Sequence, residues 1–260
     1  MTTTRRKSNR FYVKESIVPF EEDAFHEFKG HRNLSAEEVP HWCLIPGTGR
    51  ASRKAVSRNI NGFLNTGKGG TIYLGIIDEG KVKGITLNQY QKDHVIVSMK
   101  DLMNRYTPQV SEDRYKIEII PVIQKTDLWK DVTSQAKEKS QSIDANRLKP
   151  HLLRTSEYCW CDRAALEDFS KGIISSDYII EITIFPYPYP ALTMEDGSYN
   201  INLHPVYLDE EGNCYFRRQA SLVKYTTQEV VDLTIHEIQG HFMPIVESLK
   251  HEVDSLKEML

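Results

Sequence analysis

Hydrophobic and polar positions alternate along this chain in two different rhythms. In "DYIIEITIF" and "RYKIEIIPVI" the β-branched and aromatic residues come every second position or in short unbroken runs, which predicts two strands. "FHEFK" is a shorter stretch of the same kind, with Phe25, Glu27 and Lys29 on one face and His26 and Phe28 on the other. In "ASRKAVSRNINGFL" the apolar Val56, Ile60, Phe63 and Leu64 fall at helical spacing, while Arg50, Lys54 and Arg58 recur every fourth position on another face. This predicts a core-packed helix over residues 51–64 carrying a basic stripe.

"NTGKGG" should stop that helix, because Gly67, Gly69 and Gly70 can take up left-handed backbone. "TIYLGIIDEGKVKGI" then reads as a β-hairpin turning at residues 78–80, and "HVIVSMKDLMNRY" as a second helix ended by Pro108. "HPVYL" and "NCYFRRQA" read as two further strands, followed by a helix with Thr227 as its N-cap. Residues 124–150 are polar and weakly patterned, as in an exposed insertion. At the C-terminus Pro244 suits a first helical position, and Val246, Leu249, Val253, Leu256 and Leu260 make a short heptad seam able to pair with a partner helix or with its own domain. The order is mixed α+β without regular βαβ alternation, so the sheet should be mixed and mostly antiparallel, with flanking helices and a C-terminal helix.

Composition adds boundaries to this picture. A chain of 260 residues can bury one sizeable core, and a net charge of -3 gives no global attraction to polyanions, so any nucleic-acid site must be a local patch. The acid-free start "MTTTRRKSNR" lacks a secretory apolar segment, and no run is long enough to span a bilayer; a cytoplasmic protein without membrane contact is expected. Residues 1–14 read as a disordered basic tail, 15–235 as the main domain and 236–260 as the terminal helix.

Three groups of residues suggest chemistry. Glu22 and Glu27, five residues apart, and Asp78 at the expected hairpin tip are carboxylates of the kind that bind Mg²⁺ or Mn²⁺ and assist phosphodiester cleavage. Lys29, Arg50, Arg53, Lys54, Arg58, and one of Arg217 and Arg218 are candidate phosphate contacts. From residue types alone, a solvated acidic turn with exposed ion pairs is the simpler account of the acidic positions, and a salt-bridged strand end serves equally well for the two arginines. The four cysteines make no disulfide framework; Cys159 and Cys161 in "YCWCD", with His151 upstream, offer zinc ligands or ordinary buried thiols. The glycine-rich "GTGRASRK" and "NTGKGGT" lack the spacing of an ATP-binding loop.

"HEFKG", the stretch "INGFLNTGKGGTIYLGIIDEGKVKGI" and the later "HPVYLDEEGNCYFRRQASLVKYTTQEVVDL" together resemble the schlafen core domain, also called the AlbA_2 or divergent AAA-4 domain. The resemblance covers about residues 15–233. It implies a metal-dependent endoribonuclease acting on tRNA or small-RNA (piRNA) precursors, with an acidic triad falling on Glu22, Glu27 and Asp78. "RTSEYCWCD" is most similar to the short schlafen-like proteins, in which a single lobe implies a second schlafen-like chain as partner. The family's zinc site has only "CWC" as its counterpart here. Many members with an incomplete triad bind nucleic acid without cleaving it, so a binding module or a scaffold subunit is the alternative to an enzyme.

Overall fold

The computed structural model describes residues 10–48, 50–127, 148–155, 157–172, 176–188 and 204–258. The first nine residues, most of the expected insertion, and Leu260 of the expected seam lie outside them.

The centre is a six-stranded mixed sheet. Its main path runs β1 (Tyr12–Val13), β7 (Tyr115–Ile123), β8 (Asp177–Ile184), β5 (Gly70–Leu74), β2 (His26–Lys29). β8 is antiparallel to both neighbours, whereas β1 pairs with β7 and β2 with β5 in parallel. β6 (Ile85–Thr86) takes the place beside the start of β8 that β5 does not reach. The isoleucines of β8 show why this strand is central: Ile180, Ile182 and Ile184 enter the larger core on one face, and Ile179 the smaller core on the other.

The larger core is closed by α1 (Ser57–Thr66) and α2 (Gln89–Arg105). α1 ends where glycine was expected to end it, with Gly67 at φ 66°. Its start differs from expectation. Arg50 lies in a small hairpin of β3 (Leu44–Ile45) and β4 (Arg50–Ala51), and Lys54 precedes the helix, so the basic stripe does not exist as a helical face. Only Arg58 belongs to α1, and it pairs with Glu211 at 3.0 Å.

The far side of α1 carries a second hairpin, β9 (Cys214–Arg218) with β10 (Ser221–Tyr225). Buried Asn61 and Asn65 sew it on. Asn61 Oδ1 accepts from Tyr215 N (2.6 Å), and Asn65 accepts from Tyr207 N (2.6 Å) while donating to the Tyr207 and Tyr215 carbonyls (2.9 and 3.0 Å). Gly62 allows the close approach, since a Cβ there would stand 2.5 Å from Leu222. The expected strand at "HPVYL" is only a single bridge between Thr107 and Leu208, because its backbone groups are spent on these asparagines.

The hairpin expected across residues 71–86 is likewise modified. Its turn is in place, with Gly80 N donating to Ile77 O at 2.8 Å and the arms joined by the Ile76–Val82 bridge and by Ile77 N on Lys81 O (3.1 Å), while β5 itself pairs with β2 and β8. The returning chain also bonds to the segment before Glu22: Val18 N donates to Gly80 O (3.0 Å) and Val82 N to Ser16 O (2.9 Å). α3 (Trp160–Ser170) packs beside α2. The chain ends in one continuous helix, α4 (Thr227–Glu258), with Pro244 in its interior rather than at its start. Its cap is Thr226, whose hydroxyl and N–H are bonded to Glu229, one residue before the expected Thr227.

Asn65→Ala should remove the three bonds that join α1 to Tyr207 and Tyr215 and leave the Tyr207 N–H buried and unpaired. The expected loss is about 2 to 3 kcal/mol, read as a lower urea midpoint at unchanged slope.

Candidate functional site

The approach to β2 is built by a short polar turn. The Asp23 carboxylate accepts from Phe25 N and His26 N (2.7 and 2.8 Å), which aims the chain into the strand. β2 is an edge strand, so Phe28 N–H on its open side needs another partner; the Glu22 carboxylate supplies it at 2.8 Å. Glu22 is thereby fixed beside β2. The pairing of residues 16–18 with 80–82 sets the same segment next to the turn bearing Asp78.

Glu22 therefore lies in the field of both other carboxylates, although the three are not gathered as closely as the His94, His151, Cys159 and Cys161 group across the fold. Glu22 binds its proton more tightly than an ordinary glutamate, first because it is half-buried and then because Glu27 and Asp78 carry like charge; the Phe28 N–H and Lys29 oppose this. Glu27 is buried and Asp78 exposed at the turn. Oxygen donors whose mutual repulsion a cation would relieve suit Mg²⁺ or Mn²⁺. Glu21 and Asp23 stay at the surface beside them.

Glu27 is also the most constrained of the three. Lys29 donates to its Oε1, as the shared strand face led one to expect, and Arg217 to its Oε2. The Arg217 side chain is 1% exposed, and its other nitrogens donate to Asp23 O (2.6 Å) and His26 O (2.7 Å). It cannot face RNA as the pattern of the sequence suggested; it braces β2 from β9. Arg218 does point out, against the Tyr225 hydroxyl. Of the other cations, Arg50 and Lys54 are exposed, and Arg53 lies over the Trp42 ring at 4.7 Å.

A second cluster lies across the fold. His94 of α2, His151, and Cys159 and Cys161 at the start of α3 bring four ligand atoms within 4.8 Å of one another. Contacts of 3.5 Å (Cys161 Sγ to His94 Nδ1) and 3.7 Å (Cys159 Sγ to His151 Nδ1) match the separation of roughly 3.3–3.8 Å that tetrahedral zinc bonds impose. Burial lowers the proton affinity of both histidines, His94 to about 4, and so keeps their ring nitrogens available to a metal. Trp160, between the cysteines, stacks on His151 and donates to Pro150 O at 2.9 Å. The cysteines do not share a strand face: Cys159 is the extended residue before α3, and Cys161 lies in its first turn. His94 was absent from the sequence-based ligand set. It sits among apolar residues of a core helix, 57 positions before His151, and nothing in that spacing marks it. No other group of three or more such residues is gathered this closely among the described residues.

The model of the family described as "Schlafen, AlbA_2" matches residues 22–226. The chain belongs to the schlafen family. The match starts at Glu22 and runs to the cap of α4, so the triad, the brace and the histidine–cysteine group all lie inside the schlafen domain. A schlafen domain is consistent with nucleic-acid-related work, and its His/Cys group can hold a metal. No helix among the described residues is long and apolar enough to cross a membrane.

The purified protein should carry about one zinc per chain by elemental analysis. Cys161→Ser should lose that zinc and lower the thermal midpoint.

Proposed function

We propose that this schlafen domain is a divalent-metal-dependent RNA endonuclease, acting in the cytoplasm on structured or precursor RNA. The observation that carries the reading is the position of Glu22, held by Phe28 N–H at 2.8 Å within the field of both Glu27 and Asp78. These three residues would hold the Mg²⁺ or Mn²⁺, which when bound polarises the phosphoryl oxygen and makes its water acidic. Lys29 neutralises Glu27 and stands ready to meet the negative phosphate. Arg217 keeps Glu27 in one orientation. Zinc on the histidine–cysteine group would be structural, since two imidazoles and two thiolates fill its coordination.

A second chain of the same kind would supply the rest of the RNA surface. No residue of α4 is buried, and Val231, Ile235, Ile238, Met243, Val246, Leu249, Val253 and Leu256 stay exposed along it. This apolar row supports pairing with a partner helix, and a monomeric mass in solution would rule out self-pairing. One observation favours a non-catalytic subunit instead: both Glu27 oxygens already have cationic partners.

Cleavage of labelled tRNA or single-stranded RNA with Mg²⁺ or Mn²⁺ separates these readings. The enzyme reading expects loss of cleavage with EDTA and a fall of at least 100-fold in Glu27→Gln, comparable to losing a principal transition-state contact. At subsaturating metal, activity should drop as pH falls through the raised Glu22 pKa, because protonated Glu22 cannot bind a cation, and saturating metal should move that drop to lower pH. Metal-independent RNA binding without cleavage, in the assembled state, would favour the non-catalytic subunit.

A further inference from the structure

Between β2 and α3 opens a cleft of about 1040 Å³, and it begins at Gly30 and His31, directly after Lys29. One wall is the segment His41–Cys43, a single 3-10 turn held by Cys43 N on Pro40 O (2.9 Å). Cys43 is buried and anchors the turn, and its carbonyl accepts from Ser52 N at 2.8 Å, which brings the β3–β4 hairpin back so that Arg53 lies on the Trp42 ring. Trp42 itself is 67% exposed. A tryptophan fixed at its base, covered by a guanidinium on one face and open on the other, is costly to leave in water and suited to stacking.

The charges in the cleft are unevenly committed. Asp177 is bonded by Lys14 and Thr86 (both 2.6 Å), Asp162 by Arg32 and Gln91, and Glu38 by Ser98 and the Leu34 N–H (2.8 Å). Arg53 has no carboxylate partner among the described residues. His31 Nδ1 accepts from Asn33 N (3.2 Å), which puts the ring proton on Nε2, where no described group receives it. Burial, with Arg53 and Lys29 nearby, holds His31 neutral, with a pKa of about 4. At this end of the cleft the Arg53 guanidinium and the His31 Nε2–H have no carboxylate partner among the described residues, and Glu157 is the lining acid that no described cation pairs.

We propose that this cleft binds one unpaired nucleotide of a single-stranded RNA segment, its base on the open face of Trp42 and its phosphate on Arg53 and His31. His31 is four steps along the chain from Glu27, so their Cα atoms lie within about 14 Å, and the bound nucleotide flanks the phosphate presented to the triad. The inference rests on the nuclease reading for its substrate and makes that substrate single-stranded at this position. Tyr158 and Phe169, both exposed, line the same cleft and add apolar surface beside the base.

The test uses the full zinc-loaded chain and a fluorescein-labelled single-stranded RNA, with no added Mg²⁺ or Mn²⁺ so that cleavage does not occur, and binding read by anisotropy. Trp42→Ala should weaken binding roughly ten-fold, the loss of one stacked base, with an unchanged salt slope; Trp42→Phe should restore most of it. Arg53→Gln should reduce the slope of log K against log salt by about 0.7, one released counterion on a single strand. Circular dichroism should confirm that both variants fold. If the wild type binds RNA and Trp42→Ala binds equally well, the inference fails while the nuclease reading stands. If the wild type neither binds nor cleaves RNA, both fail. A change in solution mass on Trp42→Ala at unaltered RNA affinity would overturn the inference in favour of a protein interface.

Discussion

The ion pair between Glu27 and Arg217 joins two parts of the molecule that share no sheet. β2 has only four residues and pairs on one side alone, so backbone bonds hold it weakly. Arg217 reaches from β9 and gives three donors to this strand and the turn before it: one to the Glu27 carboxylate, one to Asp23 O and one to His26 O. Its guanidinium also lies over the Phe63 ring at 4.9 Å, so α1 takes part. Such a pair adds little net stability over an apolar replacement, but losing one partner strands a buried charge at about 3–5 kcal/mol. What it contributes here is orientation. With Glu27 fixed, Glu22 can close the open edge of β2, and the crossing of residues 16–18 with 80–82 brings Asp78 alongside.

The histidine–cysteine group plays the matching part on the other side. It ties α2 to α3, and Asp162, one position past Cys161, takes hydrogen bonds from Arg32 after β2 and Gln91 of α2. The Trp42 cleft lies between these two braced regions. Each wall is set by side-chain networks, and the cleft begins at Gly30, directly after β2.

Local pattern carried much of this in the sequence. β8, β7 and β2 were legible because alternation and β-branched runs need no distant partner to be recognised, and Gly67 announced the end of α1. The acidic residues were visible as types, and resemblance to the schlafen core singled out Glu22, Glu27 and Asp78 together. What stayed hidden was decided by contacts remote in sequence. The fourfold recurrence of Arg50, Lys54 and Arg58 mimicked a helix face, yet Cys43 and Ser52 draw that stretch into a hairpin. Arg217 looked like its neighbour Arg218, and only burial against Glu27 separates a brace from a surface cation. His94 carried no spacing signal, and β10 was merged with the residues leading to α4 because its partner β9 turns back within three residues.

The central claim is that Glu22, Glu27 and Asp78 form one cation site, and Mn²⁺ reports on it directly. Electron paramagnetic resonance of Mn²⁺ titrated into zinc-loaded protein should show a saturable bound ion, lost in Glu22→Gln, Glu27→Gln or Asp78→Asn and retained in Glu21→Gln. Mn²⁺ binding that is absent from the folded wild type, or indifferent to all three triad substitutions, would contradict it.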